Sequence, residues 1–457
     1  MPTILYEGLN LSLTRGTGIA TYAANLGKAA RALGYRTGAL VSAPRRLRPN
    51  DRDFNEIALL DEPGAACQPL ELLHRAFGFV AGAPFGLRGV NIPAPGGVVR
   101  GVPEQLKGFE DIVASTGLFD IARSHFNRWG RRAIVKLDQP PQVFHATHPV
   151  PLRVRDCPNI YTIHDIIPLR LPQTTLDNKA YFLGLIRHLC READHIVTVS
   201  EFSRRDIIEL TGIGESRITN TGQAVDIADA QVRRPMDDVA NELARCYGLD
   251  VGGYFLFVGA LEPKKNLERL VEAFAGCGSA CPLIVVGGIG WQCESILAKL
   301  DDQRFERFTI DGTTMRPSRQ VRRLDYVPRD RLISLMRGAR ALVFPSLYEG
   351  FGVPVLEAMT LGTPVLASNV SSLPEIAGDA AVLVDPYDVD AMADGLRRLD
   401  RDGDLRAELA RRGPVQAQRY SIDAYRARLG ALYARLTGAP TPLDGGGPSG
   451  HFGLNRN

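Results

Sequence analysis

The chain has 457 residues, of which 45% are hydrophobic and 23% charged, and its formal net charge is +3. That length is more than one hydrophobic core fills, so two domains are expected, and the composition is that of a globular protein rather than a disordered one. The near balance of charge excludes a nucleic-acid binder that works through a basic surface.

In chain order, "TILYEGLNL" reads as a strand and "GIATYAANLGKAARALG" as a helix closed by Gly34. Residues 62–140 read as an insertion, rich in glycine and proline in "GAPFGLRGVNIPAPGGVVRGVP". Within it, "LFDIARSHFNRWGRRAIVK" (118–136) places Phe119, Ala122, Phe126, Trp129 and Ala133 on one helical stripe, beside Arg123, Arg128, Arg131 and Arg132. A basic amphipathic helix of this kind lies on an anionic membrane or packs its stripe onto its own domain, and the sequence leaves both open. "NIYTIHD" (159–165) and "HIVTVS" (195–200) follow as strands, the second leading into the helix "EFSRRDIIELTG".

The charged stretch at 235–252 separates this half from a second series, giving domains over residues 1–245 and 246–437. "YFLFVGAL", "PLIVVGG", "ARALVFPSL", "TPVLAS" and "AAVLVDP" are short apolar runs suited to strands buried on both faces. Helical patterns alternate with them, among them "NLERLVEAFA", "DRLISLMRGA" and "DVDAMADGLRRL". The fold class is therefore α/β, with two Rossmann-like, doubly wound domains facing a cleft. Residues 438–457 lack apolar periodicity and are expected to be a disordered tail.

The seven cysteines (67, 157, 190, 246, 277, 281 and 293) are scattered. Their closest pair has neither a second cluster nor a histidine beside it, so reduced thiols are expected and no zinc site. The opening "MPTILYEGLNLSLTRG" lacks the parts of a signal peptide, and no run is long and apolar enough to span a bilayer. A cytoplasmic protein is expected, with peripheral contact at the inner membrane face left open through 118–136.

Ligands of open α/β sheets bind at the carboxyl ends of the strands. There stands "YEGFGVPVLEAMTLGTPVLASN", in which Glu349 precedes a helix opened by Pro354 and Glu357 lies one turn inside it. Gly350 and Gly352 permit a close approach of backbone to ligand. Gly16 and Gly18 precede the first helix, whose N-terminal N–H groups suit a phosphate or a sugar oxygen. His164 and Asp165 sit at another strand end, and His145 and His148 in "HATHPVP" are weaker candidates for the lining of an acceptor site. "DVD" (388–390) and "DGD" (402–404) look like metal-binding Asp-x-Asp runs but fall at helix starts, where aspartate is a cap.

The stretch from Tyr348 to Asn369 resembles the E-x7-E element of retaining glycosyltransferases of the GT-B architecture, family 4. The resemblance extends through "RGTGIATYAANL", "YTIHDIIPL", "VGALEPKKNLERLVEAF", "LDYVPRDRLISLMRGARALVFPS" and "LPEIAGDAAVLVDPYD". It implies a nucleotide-sugar donor held mainly by the second domain, with a final helix at about 416–437 crossing back to the first. By the resemblance, Glu357 binds the ribose hydroxyls, Glu349 and His164 meet the donor hexose, and Lys265 neutralises the departing diphosphate. Val327 and the backbone of Gly350, Phe351 and Gly352 complete the donor site, while the Gly16–Gly18 loop faces the diphosphate.

Many members carry an arginine where this chain has Ala260, which leaves one cation fewer at the leaving group unless Lys264 or another basic residue compensates. No metal or other cofactor is implied, since lysine and helix N-termini serve the diphosphate. The nearest style is that of bacterial O-antigen and exopolysaccharide enzymes, so GDP-mannose is the expected donor, with a glycan or lipid-linked glycan as acceptor. Glucosyl, rhamnosyl and fucosyl transfer remain open. A nucleotide-sugar 2-epimerase would need a carboxylate–histidine pattern not found here, and a periplasmic sugar-binding protein would need an export signal.

Overall fold

The computed structural model describes residues 3–9, 18–44, 47–48, 51, 54–55, 82–93, 106, 108–311 and 314–438. Gly16, most of 62–107 and the tail beyond 438 lie outside the described residues. The chain forms two compact units, one of residues 1–163, 184–197 and 425–457, the other of residues 164–183 and 198–424. The sequence division near 245 follows the two strand series, whereas packing groups residues 164–183 and 198–424 as the second unit and returns residues 425–457 to the first.

The first unit holds strands β1 (Thr3–Glu7), β2 (Arg36–Ala43), β3 (Val90–Pro93), β4 (Asp111–Thr116), β5 (Val143–Ala146), β6 (Asn159–Thr162) and β7 (His195–Thr198). Within this unit the sheet runs β7-β6-β5-β1-β2-β4-β3. All its pairings are parallel except β3 with β4. The chain builds outward from β1 to β2 and β4, then returns to build β5, β6 and β7 on the other side. Strand order therefore reverses between β1 and β5. Every residue of β5, β6 and β7 is buried, so these strands show no alternation of covered and exposed positions, and their polar members, among them His145 and Thr162, are buried too.

Helix α1 (Gly18–Ala32) buries Ala20, Ala23, Leu26, Ala29 and Ala30 along one face. Helix α2 (Leu118–Trp129) buries Leu118, Ile121, Ala122, His125 and Phe126, and ends at Gly130 in the left-handed conformation. Ala122, Phe126 and Ala133 of the stripe are thus core residues, Phe119 is half-buried, and Trp129 is 43% exposed. The stripe packs within its own unit because it is needed there. The insertion is also shorter than read, since β4 pairs in register with β2 and belongs to the sheet. His145 is a further correction to the anticipated acceptor lining. It is fully buried, with Nδ1 2.8 Å from Tyr433 Oη and Nε2 2.9 Å from Thr162 Oγ1. Tyr433 lies on the last helix, Ile422–Thr437, and its hydroxyl is also 2.9 Å from that of Tyr6 in β1.

The second unit holds β8 (Phe255–Val258), β9 (Leu283–Val286), β10 (Val321–Leu324), β11 (Ala341–Phe344), β12 (Val365–Ser368) and β13 (Val382–Val384). They form one sheet in the order β10-β9-β8-β11-β12-β13, parallel throughout. This is the Rossmann order, with its switch point between β8 and β11. Five of the six strands are the apolar runs of the sequence. β10, "VRRL", is not, because a strand at the sheet edge is only partly covered and tolerates arginines. Phe255, Phe257, Leu270, Phe274, Val285, Leu366 and Leu396 form its core. Each such side chain contributes about 1.5–3 kcal/mol on burial. The Asp-x-Asp runs are caps: Asp388 accepts from the N–H of Ala391 and Asp402 from that of Leu405, both at 2.9 Å. Among the described residues no helix is long and apolar enough to cross a membrane.

Candidate functional site

The switch point of the second sheet brings two loops together. After β8 the chain makes a one-turn helix, Pro263–Lys265, which presents Lys264 and Lys265. Asn266 stops that turn with φ of 60° and donates its side-chain amide to the carbonyls of Pro345 (3.1 Å) and Pro386 (2.6 Å). The N–H of Leu347 in turn donates to the carbonyl of Lys264 at 2.8 Å, so the loop after β11 is tied to the loop after β8. That second loop runs to Gly352, whose φ of 101° starts helix α6 (Val353–Thr360) with Pro354 in its first turn.

Lys265 Nζ lies 2.6 Å from Glu349 Oε1, and both side chains are almost covered. The ammonium also stands 4.9 Å from the Phe344 ring centroid. Lys264 Nζ is 3.5 Å from Glu262 Oε2. Burial pushes the Glu349 carboxyl up, but the charges of Lys265 and Lys264 outweigh it and hold the group below its ordinary value. Burial dominates at Asp165 and at Glu262, whose carboxyls are both pushed up despite the lysines. Lys264 is opposed by burial, yet Glu349, Glu262 and Asp165 keep its ammonium stabilised and its value raised. The site is therefore a compact group of two ammonium and three carboxyl side chains at the strand ends.

The backbone of this loop is held from several sides. Glu349 N–H donates to Ser371 Oγ at 3.0 Å, and Ser372 Oγ donates to the Glu349 carbonyl at 2.9 Å. The Gly350 carbonyl accepts from Ser200 Oγ (2.7 Å) and Ser203 Oγ (3.2 Å). Ser200 also caps helix α3 (Glu201–Thr211), and the Glu375 carboxylate accepts from the N–H groups of Glu201 and Phe202. Tyr348 donates to Asp206, which Arg170 Nε meets at 2.6 Å. Gly350 has to be glycine: a Cβ there would stand 2.6 Å from the His164 carbonyl and 3.1 Å from Asp165 Oδ2.

His164, Asp165, Lys264, Lys265, Glu349 and Gly350 are thus brought into one neighbourhood. His164 Nδ1 lies 3.4 Å from Gln223 Nε2. Glu357 is buried in α6 and meets Arg329, the first residue of helix α5 (Arg329–Gly338), at 2.5 Å. Val327 is half-buried in the loop before that helix. The Phe351 side chain turns inward onto Tyr420, ring centroids 5.4 Å apart, and is buried. Gly18 is the exposed first residue of α1, in the other unit. Sequence reasoning missed Glu262, Arg329, Ser371, Ser372 and Glu375 as parts of this assembly. Glu262 was legible as the neighbour of the lysine pair; the others signal nothing without the fold.

Two family models match. "Glycosyl transferases group 1" covers residues 251–416 and "Glycosyltransferase Family 4" covers residues 99–229. The O-antigen chain mannosyltransferase B of Escherichia coli is 36% identical over 267 residues, 57% of this chain and 66% of the relative. The serotype-specific mannosyltransferase WbdA of the same species is 28% identical over 56% of this chain, a stretch equal to 31% of that relative. The match therefore spans less than two thirds of these relatives' own length. Among solved structures, Anabaena HepE in complex with UDP and glucose gives a TM-score of 0.63 at 14% identity, covering 95% of this chain and all of that one. WaaG, a glycosyltransferase involved in lipopolysaccharide biosynthesis, gives 0.59 at 14% identity over 96% of this chain and all of that one. These structural likenesses speak to the fold.

Proposed function

The chain belongs to the family 4 glycosyltransferases of GT-B architecture, and from that premise we propose that it is a retaining mannosyltransferase using GDP-mannose. Its acceptor on this reading is a glycan or lipid-linked glycan of surface-polysaccharide assembly. The observation that carries the proposal is the Lys265–Glu349 pair, enclosed with Lys264 and Asp165 at the switch point. Ammonium groups fixed beside a departing diphosphate stabilise the charge that develops on it. On this reading the free N–H groups at the N-terminus of α6, which follows the same loop, serve the diphosphate as well.

Glu357 takes the ribose diol, since a carboxylate accepts from two hydroxyls at once. Lys264 supplies the second positive charge in place of an arginine at position 260. Glu349 is engaged by an ammonium and is a poor nucleophile in that state. This favours front-face displacement: the bond from C1 to the phosphate oxygen breaks as the acceptor oxygen bonds on the same face. The acceptor proton passes to the leaving phosphate. No metal enters this scheme. The relatives named above as mannosyltransferases support mannose as the transferred sugar. A lipid-linked acceptor would place a cytoplasmic enzyme at the inner membrane face, where exposed Trp129 beside Arg128 and Arg131 suits peripheral contact.

Calorimetry with GDP, UDP, GDP-mannose and UDP-glucose tests the donor, and NMR of the product tests retention. GDP binding with mannose transfer at retained configuration is expected. Binding of UDP alone would overturn the donor, and binding of neither nucleotide would overturn the transferase reading.

A further inference from the structure

We propose that the first unit carries a separate anion site, a concave face that takes a phosphate monoester, free or carried on a lipid. It does not depend on the transferase reading above. The face encloses about 400 Å³ and is lined by Trp129, Arg131, Arg132, Arg153, His188 and Arg191, among others. All of these residues belong to the first unit, and none to the candidate site of the second. Three segments build it: the turn that follows α2, the paired strands Ala133–Lys136 and Leu152–Val154, and the end of the helix Lys179–Glu192. In the strand pair Arg153 stands in register with Ile134, which also lines the face.

Four of the lining side chains are guanidinium groups, and a single one, Glu192, is a carboxylate. Arg132 is fixed in place. It donates to Tyr161 Oη at 2.9 Å and to the Glu192 carbonyl at 3.0 Å, and its guanidinium lies over the Tyr161 ring. Arg191 Nε donates to Glu192 Oε1 at 2.9 Å, so the carboxylate is engaged by its own neighbour. Among the described residues no hydrogen bond or ion pair engages Arg131 or Arg153, which line the same concavity. The positive field reaches His188, where burial first and Arg132 second hold the imidazole below its ordinary value. Like charges gathered in one concavity repel, and an anion relieves that repulsion.

Arginines collect at helix C-termini for a plainer reason, since the last carbonyls attract cations, and two helices end at this face. That accounts for Arg132, which meets the Glu192 carbonyl, while Gly130 N–H closes the other end onto the Phe126 carbonyl. It does not account for Arg153, which stands on a strand. Each helix end contributes about half a negative charge, so the four arginines set against Glu192 and both ends leave roughly two positive charges. A phosphate monoester carries about 1.5 to 2 negative charges near neutral pH, which matches that surplus. Its oxygens also accept in pairs from guanidinium forks. A carboxylate or a phosphodiester brings less charge. Arg132, already oriented, supplies one fork, and Arg131 and Arg153 have their donors to give to the remaining oxygens.

Trp129 is the reporter. It lines the face, and the chain's other tryptophan, Trp291, lies in the second unit, so a Trp291→Phe protein reads the emission of Trp129 alone. Glycerol 1-phosphate is titrated against dimethyl phosphate and acetate at constant ionic strength. A second arm uses phosphatidylcholine vesicles carrying phosphatidic acid or phosphatidylglycerol at equal surface charge. We expect a saturable change with glycerol 1-phosphate, or with phosphatidic acid, at least tenfold tighter than with the matching diester. A response in solution assigns the site to a free phosphate; a response to phosphatidic acid vesicles alone assigns it to a lipid phosphate. Arg131→Gln/Arg153→Gln should weaken either response at least tenfold without lowering the melting temperature in phosphate-free buffer, because it removes two like charges. The single variants decide the question if the double variant does not fold. Acetate acting as well as glycerol 1-phosphate, or variants that bind as the wild type does, would reduce the face to solvated arginines. Equal response to both anionic vesicles, with none to glycerol 1-phosphate, would also overturn the site, leaving only the general attraction of a basic surface to a membrane.

Discussion

Replacing Lys265 by alanine should damage both the stability and the chemistry of the second unit, by amounts that can be told apart. Its ammonium is the nearest counter-charge to Glu349, at 2.6 Å, with the two side chains only 14% and 11% exposed. Removing one partner of a buried pair costs about 3–5 kcal/mol, because the other charge is left stranded. Lys264 also acts on Glu349 and survives the change, which favours the lower end, about 3 kcal/mol. At about 2–4 °C per kcal/mol for a unit of this size, the melting temperature should fall by roughly 6–12 °C. Turnover should fall at least ~100-fold, the scale for losing one transition-state stabiliser, which corresponds to about 2.7 kcal/mol. The double variant Lys265→Ala/Glu349→Gln removes the stranded charge, so it should recover several degrees without recovering turnover. Thermal unfolding and release of nucleotide from the donor measure the two effects. A folded Lys265→Ala protein with wild-type turnover refutes the role in the leaving group, and an unshifted melting temperature refutes the ion-pair argument.

Glu357→Gln should weaken GDP binding, since a neutral amide is a poorer partner for two ribose hydroxyls and for Arg329 beside it. Glu349→Gln should leave nucleotide affinity nearly unchanged and reduce transfer; equal loss in both by calorimetry would mean the roles are misassigned. Gly350→Ala should cost about 1–3 kcal/mol and most of the activity, because its methyl meets the His164 carbonyl at 2.6 Å; a stable, active variant would show that the loop yields. Transfer should persist in excess EDTA, and loss restored by manganese or magnesium would overturn the metal-free scheme.

The second sheet was legible because its interior strands are short runs that are apolar throughout except for Ser368 at the end of β12. β10 escaped notice because its arginines are affordable only at an edge, and whether a strand is an edge is a property of the sheet, not of the segment. The same holds for the stripe of α2. Its periodicity is real, but periodicity names a face and not what covers it; here the cover is the first unit's own core.

The site divides along similar lines. Glu349 and Glu357 could be found by spacing, one in the loop after β11 and the other in the helix that follows, but not their separate partners, Lys265 and Arg329. Asp165 could be marked as a strand-end residue, but not as a neighbour of Lys264, which lies nearly a hundred residues away. The charge of the site is misjudged for the same reason. By residue count, three carboxyls face two lysines and the group is net negative, an odd home for a diphosphate. Burial, which only the fold reveals, pushes the Asp165 and Glu262 carboxyls up, while the two lysines hold that of Glu349 below its ordinary value. Lys265 is paired with Glu349, and the same carboxylate is the foremost favourable charge on Lys264, ahead of Glu262 and Asp165. On the proposed donor role, a diphosphate would therefore meet two ammonium groups that share one carboxylate held below its ordinary value, and its own charge would relieve that sharing.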